Sequence, residues 1–168
     1  RRTSPAVDEK IVIESEAASF RVETVAEGLE VPWAMEFLPD GSALVGERNT
    51  GRIQRLDVST GQLTVITWQA EMLLDSKISS GLFDLRIHPD FAKNGWIYIV
   101  YGAGTVGANG LVIQRMKLEG NTLIESQTLL ETKPRISRKW HFGGRLAFAD
   151  SYLFITTGDG YHHSHLAQ

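Results

Sequence analysis

The chain has 168 residues, of which 42% are hydrophobic and 22% charged; it has no cysteine and a formal net charge of −3 at pH 7. That length suits one domain with a buried core, and the composition is that of an ordinary globular protein. The acidic balance argues against a nucleic-acid surface, the lack of cysteine excludes disulfides and thiolate metal sites, and no apolar run reaches the ~18 residues a membrane helix needs.

Residues 1–17 are polar and lack steady periodicity, so they read as a mobile leader with no signal peptide. Phe20 to Val25 alternates apolar and polar residues, the pattern of a half-buried strand. Four strands are then predicted at Trp33 to Leu38, Ala43 to Arg48, Arg52 to Asp57 and Leu63 to Thr67. Their connectors each end in glycine (Gly41, Gly51, Gly61), which supplies the positive φ of tight hairpins. Four more are predicted at Gly81 to Ile87, Trp96 to Tyr101, Leu111 to Leu118 and Leu123 to Leu130. A last pair spans Arg145 to Ala149 and Tyr152 to Thr157. No helix of ordinary length is indicated.

One unit recurs: a strand, a turn holding an Asp, and a second strand. Its turn residues are Asp40, Asp90 and Asp150, spaced 50 and then 60 residues apart. Short strands at such a period are the signature of β-propeller blades. The expected fold is all-β: the N-terminal part of one propeller domain over 18–168, with about two and a half blades near 31–70, 78–131 and 141–168. Glu71 to Ser80 and Thr132 to His141 link the blades and are expected over the mouth of the central channel, where binding groups tend to sit.

His141-Phe142-Gly143-Gly144-Arg145-Leu146 is the sharpest local signal. An imidazole there suits proton transfer near neutrality, and the glycines admit a ligand or a neighbouring backbone. The alternative is a histidine that merely caps a strand. His162-His163-Ser164-His165 reads as a loop rather than a metal site, since converging partners are not identifiable. His88 reads as strand-end packing, Asp40, Asp90, Asp150 and Asp159 as turn residues, and Trp33, Trp68 and Trp96 as blade core.

Pro32-Trp33-Ala34 with Phe37-Leu38-Pro39-Asp40-Gly41, Gly81-Leu82 with His88-Pro89-Asp90-Phe91, and the His141 to Leu146 stretch occur in order at sensible spacing. Together with Thr156-Thr157-Gly158-Asp159-Gly160 they resemble the pyrroloquinoline quinone (PQQ)-dependent sugar dehydrogenases, meaning the soluble quinoprotein glucose dehydrogenases and their glucose/sorbosone dehydrogenase relatives. The resemblance covers about residues 20–168. It implies a six-bladed propeller with the quinone over the channel mouth and a calcium ion beside it. An aldose sugar would lose its anomeric proton to a His as hydride passes to the quinone, and His141 matches that base. Ser79 stands where the best-known members carry an amide against the quinone. Trp140 replaces their acidic neighbour of the His and is a candidate for stacking on a planar ring. Arg145 is a candidate for holding a linker or the cofactor's carboxylates.

The resemblance further implies an electron acceptor as partner and a periplasmic or secreted location. Calcium ligands are expected in later blades, outside this chain. Six blades need about 300–360 residues, so the chain alone is expected to be inactive, with open sheet edges prone to self-association. Two alternatives remain: a non-catalytic propeller that binds a protein or carbohydrate partner, and a metal-centred propeller hydrolase using Glu36 and Asp84.

Overall fold

The computed structural model describes residues 11–75, 77–162 and 165. The first strands, β1 (Ile11–Glu14) and β2 (Ser19–Val22), form an antiparallel hairpin. Ile11–Glu14 falls in the stretch read from the sequence as a leader without steady periodicity, and it forms a strand there. A stretch of β-branched residues makes a strand without polar alternation once it has a partner, and the Ser15 hydroxyl, donating to Ala18 O at 2.7 Å, closes the turn. Residues 1–10 lie outside the described residues.

The next four strands, β3 (Pro32–Phe37), β4 (Ala43–Glu47), β5 (Ile53–Leu56) and β6 (Leu63–Ile66), make a four-stranded antiparallel meander in chain order. A second meander comprises β7 (Leu82–Ile87), β8 (Trp96–Thr105), β9 (Ala108–Glu119) and β10 (Thr122–Glu131). The strands β11 (Gly143–Ala149) and β12 (Tyr152–Thr157) pair as a two-stranded sheet. All ten strands of these three sheets lie where the period-2 pattern and turn residues predict them. Of the turn aspartates, Asp40 accepts the Ser42 N–H at 3.0 Å as expected, whereas the Asp90 side chain makes no capping hydrogen bond; Asp57, not singled out by sequence, accepts the Ser59 N–H at 2.9 Å. The one helix among the described residues is a single turn, α1 (Phe91–Asn94). His88 accepts the Asp90 N–H at 2.9 Å and packs on Tyr98 and Phe148, the strand-end role read from the sequence.

Successive sheets face each other across two apolar layers. Leu44, Ile53, Leu82, Leu85, Ile97 and Ile99 fill the first, between the two meanders. Phe83, Val100, Ile113, Phe142 and Leu146 fill the second, between the second meander and β11–β12. The strands that open each sheet, β3, β7 and β11, lie side by side, with β7 touching both of the others. Thr67 also joins the end of the first sheet to β10, accepting the Leu123 N–H at 2.9 Å and donating to Asn121 O at 2.8 Å. Trp68 and Trp96 pack against these layers, but Trp33 does not. The residue is 42% exposed, with the Arg48 guanidinium 4.3 Å from its ring centre, which corrects its placement in the core.

Glu47, at the end of β4, is fully buried and charged. It accepts from Thr50 Oγ1 and Arg52 Nε at 2.7 Å, Gln54 Nε2 at 2.8 Å and the Glu30 N–H at 3.1 Å. Burial is the largest single influence and pushes the carboxyl up. The four donors together outweigh it and hold the group below the usual glutamate range. A folded pKa below the unfolded one means that the carboxylate's stabilisation is full above the ordinary value near 4.5 and is lost as pH falls through the depressed folded value. Glu47→Gln sets an amide donor against these donors. It is expected to destabilise the protein by about 2 kcal/mol at neutral pH, with the gap from wild type closing in acid. Denaturant unfolding across pH checks this; a gap that does not change with pH contradicts it.

Candidate functional site

The two linkers meet at the end of the sheets from which β7 and β11 start. Ser79 N–H donates to Lys139 O at 2.8 Å, which ties one linker to the other. Beneath them sits Asn109, fully buried on β9. Its Nδ2 lies 3.1 Å from Thr105 O and Arg138 O and 3.2 Å from Val106 O, and its Oδ1 accepts the Arg138 N–H at 3.3 Å. Its backbone exchanges hydrogen bonds with Ile136 in both directions. Arg138 Nη1 also donates to Asn109 O at 2.9 Å. One buried amide thus joins the β8–β9 turn to the second linker, three residues before His141.

The His141 backbone is left-handed, at φ +53°, a conformation that favours short polar or imidazole side chains over bulkier ones. Its carbonyl accepts the Gly160 N–H at 3.2 Å, and Phe142 O accepts the Gly158 N–H at 2.8 Å. A Cβ on Gly158 would stand 1.8 Å from His141 O, so no other residue fits there. The Gly143-Gly144 pair admits protein rather than ligand. A Cβ on Gly143 would meet the Thr157–Gly158 backbone, and one on Gly144 would lie 2.9 Å from Phe83 Cβ. Phe142 is buried, with its ring stacked 5.2 Å from Phe83, and pins the segment from below.

On this base His141 projects outward, its side chain 57% exposed. Its Nδ1 lies 3.1 Å from Asp159 Oδ1. Asp159 also accepts the Tyr161 N–H at 2.9 Å, and this bond, ahead of the contact with His141, holds its carboxyl below the usual aspartate range. A carboxylate accepting from Nδ1–H leaves Nε2 with its lone pair, the form that takes up a proton. Tyr161 sits edge-on to both the His141 and Trp140 rings, 5.1 and 5.3 Å away. A cavity of about 550 Å³ opens beside the pair, lined by Trp33, Arg48, Ser79 and Phe83 on one side and by Trp140, His141 and Tyr161 on the other.

Three of the four residues singled out by sequence, His141, Ser79 and Trp140, therefore line one cavity. Arg145 is not among its lining residues. Its guanidinium donates to Trp33 O of β3 and Phe83 O of β7 at 3.0 Å and lies 3.5 Å from Asp84, so it ties the strands that open the sheets together and holds neither linker. Glu36 and Asp84, offered as metal carboxylates, are each paired with Arg86. Among the described residues no three His, Asp or Glu side chains converge on one point. His162 packs on Tyr161 and Trp140, whereas His163 and Ser164 of the His-rich stretch lie outside the described residues.

A family model described as Glucose / Sorbosone dehydrogenase matches residues 29–168. The chain belongs to this family. Among curated glucose/sorbosone dehydrogenase relatives, the aldose sugar dehydrogenase of Escherichia coli is 28% identical over 84% of this chain and 39% of its own length. Quinoprotein glucose dehydrogenase B of Acinetobacter calcoaceticus is 29% identical over 86% of this chain and 32% of its own. The PQQ-bound aldose sugar dehydrogenase of Streptomyces coelicolor superposes with a TM-score of 0.67 at 29% identity, over 83% of this chain and 41% of that one. The chain thus spans a third to two-fifths of the length of these relatives.

Sequence reading misses Arg48 as a cavity residue, misses Trp33 by burying it, and reads Asp159 as a turn residue on a channel-facing loop without pairing it with His141. The Gly158-Asp159-Gly160 setting was a usable signal, because a carboxylate between glycines at the end of β12 faces the same linker as His141. Asn109 carried no sequence signal. Asn109→Ala is expected to take the amide donor from Thr105 O and Arg138 O, leave Val106 O only the Ser137 hydroxyl, and cost about 2–4 kcal/mol. Amide exchange at Lys139 to Phe142 should quicken more than exchange in β4 or β5; uniform quickening, or none, contradicts the linkage.

Proposed function

We propose that this chain supplies the sugar-facing wall of a PQQ-dependent aldose dehydrogenase, with His141 as general base. The observation that carries the reading is the His141–Asp159 pair at the cavity edge, with Nε2 left to accept a proton. The cavity residues suit the cofactor chemically. Exposed Trp33 and Trp140 offer flat aromatic faces, Ser79 a hydroxyl, and Arg48 a cation for an acidic, planar ring system. PQQ, when bound, accepts the two electrons that leave the sugar. His141 takes the proton of the anomeric hydroxyl at Nε2. Asp159 holds the ring in the required tautomer and stabilises the imidazolium that forms. Phe83 and Phe142 close the floor against water, and Trp140 with Tyr161 restricts how His141 turns.

The propeller of the working enzyme has six blades in this reading, of which the chain contributes two and a half. It uses calcium held by groups outside this chain, passes electrons to an acceptor, and works in the periplasm or outside the cell. No helix among the described residues is long and apolar enough to cross a membrane, in keeping with that location. These residues alone do not oxidise sugar, and the exposed Tyr152 and Phe154 of β12 are a surface through which isolated chains would associate.

In the intact protein with PQQ and calcium, His141→Ala is expected to lower kcat about 10²–10⁴-fold. Asp159→Asn should lower it less, since the ring remains but its tautomer is no longer fixed. Because Asp159 is held below its ordinary range, its carboxylate should persist beside His141 until the pH has fallen below the usual aspartate range. Steady-state rates with an aldose and an artificial acceptor check this, and near-wild-type turnover of His141→Ala would remove His141 from the role.

A further inference from the structure

We propose that Arg48, laid on the Trp33 ring, is a carboxylate-binding subsite of this cavity; the inference rests on the PQQ reading. The Arg48 backbone is fixed from both sides. Its N–H donates to Val31 O at 3.1 Å and its carbonyl accepts the Leu82 N–H at 3.1 Å, so the residue is wedged between the first two sheets. The guanidinium carbon stands 4.3 Å from the Trp33 ring centre. Stacking holds the plane flat and leaves its hydrogen-bonding edge free.

That edge is almost unused. Nε donates to Asn49 Oδ1 at 3.1 Å, and among the described residues neither terminal nitrogen has a hydrogen-bond partner. Most arginines here are placed otherwise: Arg21, Arg52, Arg55, Arg86, Arg135 and Arg145 each stand beside a carboxylate. Arg48 has none within 4.0 Å among the described residues, yet it is half-buried in a cavity walled by Trp33, Phe83, Trp140 and Phe142. An unneutralised guanidinium in an apolar wall attracts an anion more strongly than one in water. Its rigid fork matches the two oxygens of a carboxylate. Arg145, the cation the sequence offered as one candidate for this task, is already committed to two carbonyls and Asp84.

Two ligands would bring a carboxylate here: PQQ, which carries three, and an acidic sugar such as a uronic acid. Equilibrium binding of PQQ to the intact apoprotein, followed by fluorescence, separates them without reference to turnover. Arg48→Gln is expected to weaken PQQ binding about 10–100-fold, and Arg48→Lys, which keeps the charge but not the fork, to recover part of the loss. If PQQ affinity is unchanged but the variant loses a preference of wild type for glucuronate over glucose in KM, the carboxylate is the sugar's. If both affinity and preference are unchanged in Arg48→Gln, the subsite is wrong while the PQQ reading stands. Wild-type protein that binds no PQQ overturns both.

Discussion

The arrangement depends on one buried carboxylate. Asp84, on β7, is fully buried, and its Oδ2 accepts the Leu146 N–H of β11 at 2.9 Å. Arg86 and Arg145 flank it at 3.5 Å. Each arginine reaches further: Arg86 Nη1 donates to Met35 O at 3.1 Å and its Nε to Leu146 O at 3.2 Å, while Arg145 bonds Trp33 O and Phe83 O. The three strands that open the sheets belong to different ladders, so backbone pairing does not join them. Asp84 and two guanidiniums do so instead. Leaving the buried Asp84 carboxylate unmatched costs about 3–5 kcal/mol, more than a typical packing contact contributes.

That joint sets where the cavity forms. With β3, β7 and β11 held side by side, the linkers that enter β7 and β11 must cross the same end of the sheets. Asn109 then fixes the height of the second linker, Gly158 allows the His141 carbonyl to approach, and Phe142 anchors the turn. His141 is thereby supported by a scaffold rather than by a free loop, and its one polar ring partner among the described residues is Asp159. The same backbone geometry that looks like a structural detail, a left-handed histidine just before the buried Phe142, presents the imidazole to the cavity.

The sequence revealed the sheets almost completely, because alternation of apolar and polar residues reports which face of a strand is buried, and glycine-ended turns report where it reverses. It revealed His141 for a similar local reason, the Gly-Gly pair that follows. It was less informative about lateral contacts. Asp159 lies 18 residues from His141, and only its setting between two glycines at the end of β12 points towards the contact. Trp33 resembles any other core tryptophan until β3 proves to face outward there, and Arg145 resembles any cation until its carbonyl partners are placed. The β1 strand was hidden because a short apolar run takes its conformation from β2, not from its own pattern. Arg48 became visible only through what it lacks among the described residues, a carboxylate partner.

The claim that most needs a direct test is that Asp159 fixes the His141 tautomer. Selective ¹⁵N labelling of histidine in the intact protein, with His141→Ala used to assign its signals, reads the protonation of each ring nitrogen. The account predicts a neutral His141 with its proton on Nδ1 and the lone pair on Nε2, and Asp159→Ala returning the ring towards the Nε2–H form. A neutral His141 protonated on Nε2 in the wild-type protein would contradict it.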